Sequence, residues 1–165
     1  MRGRESLVAG HVAPQTRAMS NPRPDVPSAS IRRRILVVDA DHRVRASLSG
    51  LISLGDDIEV VASAATVAEA VDLAGRLRPD VVVLDPRLPD VDAGLGLIRA
   101  LRQLDSRVRI VVLGATLELE LGAFAAGADA FIGDCPDPMA LVDAVVSTAR
   151  RGGRRGAAAR PAVVP

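Results

Sequence analysis

The feature that most constrains the fold of this 165-residue chain is an apolar run that ends on an acid and a proline. Residues Val81–Leu84 are consecutive aliphatic side chains, and Asp85 and Pro86 follow at once. A short run of this kind is typical of a strand that a parallel sheet buries on both faces. A carboxylate is costly inside such a sheet, whereas the carboxyl end of a strand borders the crevice where α/β sheets bind ligands. We therefore predict that Asp85 lies at the mouth of a crevice.

Strand-like runs and helix-like patterns alternate between residues 31 and 150. The predicted strands are Ile35–Asp39, Ile58–Ala62, Val81–Leu84, Val108–Leu113 and Ala130–Ile132. The predicted helices, marked by apolar residues at helical spacing and by capping residues, span 41–53, 66–77, 94–104, 117–126 and 137–150. This alternation predicts an α/β fold, a doubly wound five-stranded parallel sheet with helices on both faces.

Composition limits both the domain organisation and the function. Hydrophobic residues make up 48% of the chain, enough for one core, whereas aromatic residues at 1% argue against recognition of single-stranded nucleic acid by stacking. All 21 basic residues are Arg, and they outnumber the acids at both ends. We predict disordered segments at residues 1–30 and 151–165 around one domain at 31–150.

The sequence also favours a cytoplasmic location. Cys135 is the single cysteine, so an intramolecular disulfide is excluded and a reducing compartment is expected. No apolar run approaches the roughly 20 residues of a membrane span, and the N-terminal residues lack the apolar core of a secretory signal. The basic ends predict no specific contact with nucleic acid, since arginines alone bind it non-specifically.

Three carboxylates follow strands of the predicted sheet. Asp39 ends the first strand, Asp85 follows the third, and Asp134 follows the fifth. Because parallel strands share one carboxyl edge, these side chains would converge there and bind a divalent cation or raise one another's pKa. The alternative is that one or two of them cap helices, as we expect for Asp41 at the start of the first helix.

The pattern resembles the receiver domain of two-component response regulators over about residues 33–150. The motifs that carry the resemblance are Ile35–Asp39, Val81–Asp85 with Leu88-Pro89, Gly127–Phe131, and Asp137-Pro138 at the start of the last helix. The resemblance implies the flavodoxin-like strand order 2-1-3-4-5. It further implies a role in phosphorelay signal transduction, with Asp85 as the phosphoryl acceptor.

The family also implies a Mg²⁺ ion bound by Asp39, by Asp85 and by the backbone carbonyl of Arg87. Ala40 stands where the family has a second acid, and fewer carboxylates weaken cation binding, so we predict Mg²⁺ binding that is weak or absent. For the Arg87 side chain we expect an ordinary solvated surface position. Its alternative is to turn onto Asp85 as a substitute cation.

Other departures from the family leave two functions open. Gly114 stands where the family has a hydroxyl residue, Phe131 lacks the hydroxyl of the aromatic position, and Asp134 replaces a lysine. In one reading Asp85 is phosphorylated weakly and the domain switches. In the other, the alternative, the domain is a phosphorylation-independent binding module. We expect switching to be weak or absent, because Gly114 has no side chain to follow a phosphoryl group.

Output is expected through protein contact in either reading. The resemblance implies a histidine kinase or another signalling protein as partner. It also implies a homodimer surface on the fourth helix, fifth strand and fifth helix, where Leu117, Leu119 and Leu121 are crowded. An exposed apolar patch there would mark such a surface.

A phosphatase of the haloacid-dehalogenase type is a more distant alternative. Asp39-Ala40-Asp41 after an apolar strand is similar to the paired nucleophile and acid of that family. This alternative leaves Asp85 without a role, so we expect no enzymatic turnover beyond self-phosphorylation from a phosphodonor.

Overall fold

The structure is a computed structural model that describes residues 32–133, 137–151 and 162–164. Its strands are β1 (Arg33–Val38), β2 (Ile58–Ala64), β3 (Val81–Leu84), β4 (Arg109–Leu113), β5 (Ala130–Ile132) and β6 (Ala162–Val164). Its helices are α1 (His42–Ile52), α2 (Val67–Leu77), α3 (Val91–Leu104), α4 (Leu117–Ala126) and α5 (Pro138–Arg150).

The strands form one parallel sheet in the order β2-β1-β3-β4-β5-β6. The predicted doubly wound fold and the predicted order of its first five strands, 2-1-3-4-5, are confirmed. β6 differs from the disordered tail predicted for residues 151–165, because residues 162–164 pair with β5. Two β-branched valines suit a strand, and the edge of β5 offers unpaired backbone groups. The predicted extension at residues 1–30 lies outside the described residues.

Two apolar layers cover the two faces of the sheet, and β3 contributes to both. Val82 and Leu84 pack in the layer with α2, α3 and α4, whereas Val81 and Val83 pack in the layer with α1 and α5. Side chains alternate along a strand, so a run that is apolar at every position fills both layers. All four residues of β3 are fully buried, which fixes the strand and the residues that follow it.

Side-chain caps set where the helices begin. Asp41 accepts a hydrogen bond from the Arg43 N–H at the start of α1, as predicted. Asp90 accepts one from the Ala93 N–H, and α3 therefore begins at Val91. The predicted start of this helix at residue 94 was wrong because the cap at Asp90 satisfies free N–H groups one turn earlier.

Gly94 allows α3 to approach the turn that follows Asp85. A Cβ atom at residue 94 would lie 1.8 Å from the Pro86 carbonyl oxygen and 2.5 Å from its Cα. Both contacts are with backbone, which cannot rotate away. The absence of a side chain at Gly94 therefore allows α3 to pack directly against the loop that carries the candidate site.

The opposite edge of the sheet holds an acid between two arginines. Asp129 pairs with Arg102 and with Arg109, and all three side chains are mostly buried. Its carboxylate also accepts a hydrogen bond of 2.9 Å from the Ile110 N–H. Burial alone raises the pKa of Asp129, but these hydrogen bonds and the arginine charges together hold that pKa below its ordinary value.

We predict that Gly94→Ala lowers the free energy of unfolding by about 2–3 kcal/mol, because the new methyl overlaps the Pro86 backbone. Gly96→Ala is the matched control, since nothing lies within 4 Å of a Cβ at that position of the same helix. The control should gain about 0.5–1 kcal/mol from helix propensity. Urea unfolding of both variants measures the difference, and equal effects would contradict the close approach.

We predict that Asp129→Asn destabilises the domain by on the order of 3 kcal/mol, because it leaves two mostly buried arginines without a counter-charge. A lowered folded pKa gives stability that is present above the unfolded pKa and is lost as the pH falls through the folded value. Wild-type stability should therefore fall below about pH 4, and that part of the fall should vanish in the variant. Asp72→Asn, in an exposed pair with Arg76, should change stability by less than about 0.5 kcal/mol.

Candidate functional site

Two carboxylates lie side by side at the carboxyl edge of the sheet. Val38 pairs with Leu84 in the register of β1 and β3, so the next residues, Asp39 and Asp85, are neighbours. The Asp85 N–H donates to the Val38 carbonyl at 3.0 Å, which continues the ladder to the acid. The Asp85 side chain is 14% exposed, and Asp39 is 6% exposed. The structure thus places both predicted residues together at the mouth of the sheet.

The Arg87 side chain covers the carboxylate of Asp85. Its Nε lies 3.0 Å and 3.1 Å from the two carboxylate oxygens, and one terminal nitrogen lies 2.5 Å from Oδ2. The Arg87 backbone N–H donates to Oδ1 at 3.0 Å as well. Arg87 thus keeps the expected surface position, at 70% exposure, but its guanidinium turns onto Asp85, which was the alternative stated for it. A planar guanidinium matches both oxygens of a carboxylate, and the short turn through Pro86 brings the two groups together.

The two carboxylates respond to this arrangement in opposite directions. Burial by itself raises the pKa of Asp85, but hydrogen bonds from the Arg87 side chain and backbone, with the Arg87 charge, hold that pKa below its ordinary value. Burial raises the pKa of Asp39, and the hydrogen bond from the Asp41 N–H opposes the rise only in part. The charges of Asp85 and Asp41 add to the increase. Asp39 is therefore the carboxylate of the pair whose charged form is disfavoured, and we call it the strained charge.

Asp41 serves the start of α1. Its side chain accepts from the Arg43 N–H at 2.7 Å, while its own N–H donates to Asp39 Oδ1 at 2.7 Å. The carboxylate of Asp41 is exposed and engaged as a cap. It thus acts as the predicted N-cap, and its backbone, not its side chain, contacts Asp39.

With the Arg87 guanidinium bound to Asp85, the residues at this edge do not fit a Mg²⁺ ion. The carboxylates of Asp39 and Asp85 and the carbonyl of Arg87 would be the ligands, and Ala40 supplies none. Both oxygens of Asp85 already accept from a guanidinium, which occupies the side that a cation would approach. Within residues 32–133 and 137–151, no three His, Cys, Asp or Glu residues form a metal-binding group. Asp134, the third predicted carboxylate, lies outside the described residues.

The end of β4 is packed with apolar side chains. A Cβ atom at Gly114 would lie 2.5 Å from Leu119 Cδ2 and 2.9 Å from Phe131 Cζ. Phe131 is buried, and Leu119 packs against the same layer of the core. These two side chains occupy the space that a side chain at position 114 would need. Gly114 and Phe131 are each recognisable in the sequence as departures from the family, but no local pattern predicts that they meet.

An open cavity of about 510 Å³ lies beside the Asp85–Arg87 pair. Its walls are mostly apolar and come from the ends of β4 and β5 and from α1, α3, α4 and α5. The side chains that line it include Leu51, Val91, Leu113, Leu119, Ile132 and Leu141. The cavity gives a small molecule or a partner's side chain access to the carboxylate edge.

Comparison with known proteins assigns the family. Residues 35–146 match the family described as the response regulator receiver domain. The chain belongs to this family. It is a receiver domain of two-component response regulators, as the resemblance in its sequence predicted. The match favours this assignment over the dehalogenase-type alternative, in agreement with the capping role of Asp41.

Relatives of the receiver domain differ in length from this chain. PrrA, a transcriptional regulatory protein of Mycobacterium tuberculosis, is 37% identical over 129 residues, which cover 76% of this chain and 52% of PrrA. A protein-glutamate methylesterase/protein-glutamine glutaminase of a Nocardioides species is 35% identical over 103 residues, 60% of this chain and 28% of that protein. The chain therefore spans about half or less of these curated relatives.

Solved structures show the same fold. A two-component response regulator of the LuxR family from Aurantimonas has a TM-score of 0.67 and 35% identity, covering 75% of this chain and 88% of that one. A CheY-like receiver domain protein from Methanospirillum hungatei has a TM-score of 0.67 and 25% identity, covering 76% and 99%. Among the described residues, no helix of the receiver domain has the length and apolar character needed to cross a membrane.

We predict that Asp39→Asn stabilises the receiver domain at neutral pH by on the order of 1 kcal/mol, because it removes a buried charge beside Asp85. The Asn oxygen still accepts from the Asp41 N–H, and its amide can donate towards Asp85. A raised folded pKa costs stability as the pH rises through it, so the gain should grow from acid to neutral pH. Thermal unfolding over a pH series measures this.

Asp41→Asn is the control for this prediction, because Asn caps a helix as well as Asp does. Its stability should stay close to that of the wild type across the series. A loss of stability in Asp39→Asn at neutral pH would contradict the assignment of Asp39 as the strained charge.

Proposed function

We propose that this receiver domain signals through protein contact and does not depend on a phosphoryl-driven switch at Asp85. The observation that carries the proposal is the packing at Gly114, where Leu119 and Phe131 fill the space of the missing side chain. No hydroxyl at this position can follow a group added to Asp85. Gly114 therefore offers no side chain through which a change of charge at Asp85 could move the start of α4, and the Thr116 hydroxyl, which lines the same cavity, is engaged as the N-cap of that helix.

An exposed apolar surface on α4 supports output by protein contact. Leu117 and Leu121 are 69% and 62% exposed, although both are large apolar residues. They lie one turn apart on the helix, so they form one patch. Such a patch is typical of a protein-interaction surface, and a second copy of this chain or another signalling protein would bury it.

Phosphoryl acceptance by Asp85 is the second candidate function. It is favoured by the position of Asp85 at the carboxyl edge, next to an open cavity of about 510 Å³. A carboxylate oxygen of Asp85 would attack the phosphorus of a phosphodonor. The bond between phosphorus and the leaving group would then break, and the leaving group would keep its electron pair. Receiver domains in two-component systems interact with histidine kinases, so such a kinase is the proposed phosphodonor and partner. Beyond this step we propose no enzymatic activity.

A phosphoryl mimic separates the two functions. We predict that beryllofluoride bound at Asp85 perturbs residues that line the cavity but leaves the backbone amide resonances of residues 120–126 of α4 unchanged, because Gly114 provides no side chain to couple Asp85 to that helix. The measurement is a pair of amide correlation spectra with and without the mimic, recorded in the wild type and in Asp85→Asn.

Intact mass after incubation with a small phosphodonor and Mg²⁺ gives an independent readout. An adduct that is absent in Asp85→Asn would show that Asp85 accepts a phosphoryl group. Resonances of α4 that move in the wild type but not in Asp85→Asn would overturn the proposed function. An adduct without movement of α4 would retain the proposal and add phosphoryl acceptance to it.

A further inference from the structure

We infer that Arg87 is a resident counter-cation that occupies the cation position of the carboxylate edge, so that this receiver domain rests without a divalent metal. The inference concerns the charge balance of Asp85 and does not depend on the proposed function, which concerns the coupling of Asp85 to α4. It assigns a role to the side chain of Arg87, whereas the resemblance to the family implies a role only for the backbone carbonyl of this residue.

The geometry of the pair is that of a cation bound to a carboxylate. Three nitrogens of Arg87, one of them in the backbone, donate to the two oxygens of Asp85. A guanidinium bound in this bidentate way leaves no free edge of the carboxylate on that side. Asp85 and Arg87 are only two residues apart in the sequence, so forming the pair costs little chain entropy.

The surroundings explain why a cation is needed at this place. Asp39 is buried beside Asp85, so two carboxylates lie close together with little solvent to screen them. The chain contains no lysine that could neutralise them. Among the ion pairs of the described residues, Arg87 is the cation paired with Asp85. Ala40 supplies no carboxylate to this edge, so the single positive charge of Arg87 offsets a larger share of the negative charge there.

The Arg87 side chain can leave the carboxylate without unfolding the domain. It is 70% exposed, and within the described part of the chain its side-chain hydrogen bonds are to Asp85. The guanidinium regains its hydration when it turns back into water, so the cost of breaking the pair falls on the two poorly solvated carboxylates. The guanidinium and a Mg²⁺ ion therefore compete for the same oxygens, and removal of the guanidinium should uncover a cation site.

The test compares thermal unfolding of the full chain in Mg²⁺ and in a chelator at matched ionic strength. Arg87→Met keeps the apolar stem and removes the charge, whereas Arg87→Lys keeps the charge and loses the fork. The wild-type midpoint should be the same in both buffers. The Met variant should fall by roughly 4 °C in the chelator and recover with Mg²⁺, and the Lys variant should fall less.

Two further variants make the result specific. Arg43→Met removes an exposed arginine of α1 that does not contact Asp85, and it should show no response to Mg²⁺. The double variant Asp85→Asn/Arg87→Met should lose the response of Arg87→Met, because the carboxylate that binds the ion is gone. Competition for added Mn²⁺, followed by electron paramagnetic resonance, reads out cation binding directly.

Three outcomes would overturn the inference. In the first, the wild type gains as much stability from Mg²⁺ as Arg87→Met does, which would show that the cation position is free. In the second, Arg87→Met keeps the wild-type midpoint in the chelator, which would show that Asp85 needs no counter-charge. In the third, Arg87→Met loses stability that Mg²⁺ does not restore, which would show that guanidinium and metal do not share a position. None of these outcomes bears on the movement of α4, so the proposed function is tested separately.

Discussion

The parallel pairing of β1 with β3 is the constraint on which the site depends. It fixes Val38 opposite Leu84, both fully buried, and so brings Asp39 and Asp85 to the same edge of the sheet. Water cannot screen this pair well, and each carboxylate raises the cost of ionising the other. The other polar contacts at this edge partly offset the negative charge of the two carboxylates. The Arg87 guanidinium pairs with Asp85, and the Asp41 N–H donates to Asp39.

The two edges of the sheet treat buried acid in different ways. At the amino edge, Asp129 is held by two arginines and a backbone N–H, so its charge is fully compensated and serves the fold. At the carboxyl edge, one exposed arginine covers Asp85 and leaves Asp39 only a backbone donor. Incomplete compensation is typical of sites where charge is meant to change. The contrast separates Asp129, which serves the fold, from the two acids for which a function is proposed.

The sequence predicts what depends on local pattern and misses what depends on packing. The β3 run and the capping residue Asp41 were sufficient to place the sheet, the first helix and the Asp85 edge. The start of α3 was missed because its cap, Asp90, follows a proline and resembles a loop residue. The Arg87 contact depends on the exact turn after Asp85, and the fit of Gly94 against Pro86 depends on how a helix docks. Neither leaves a periodic signal in the chain.

Retention of the fold does not imply retention of the switch, and Gly114 shows the physical reason. Leu119 and Phe131 meet over this glycine, so a position that could carry a polar sensor has become part of the apolar layer formed with α2, α3 and α4. Such packing stabilises the domain, because apolar contact replaces a group that would need a hydrogen-bond partner. Under the proposed function, position 114 provides no polar link between Asp85 and α4, and the Thr116 hydroxyl is engaged as the cap of that helix. Stability of the sheet and coupling across its edge are therefore separate properties, and the sequence can lose the second while it keeps the first.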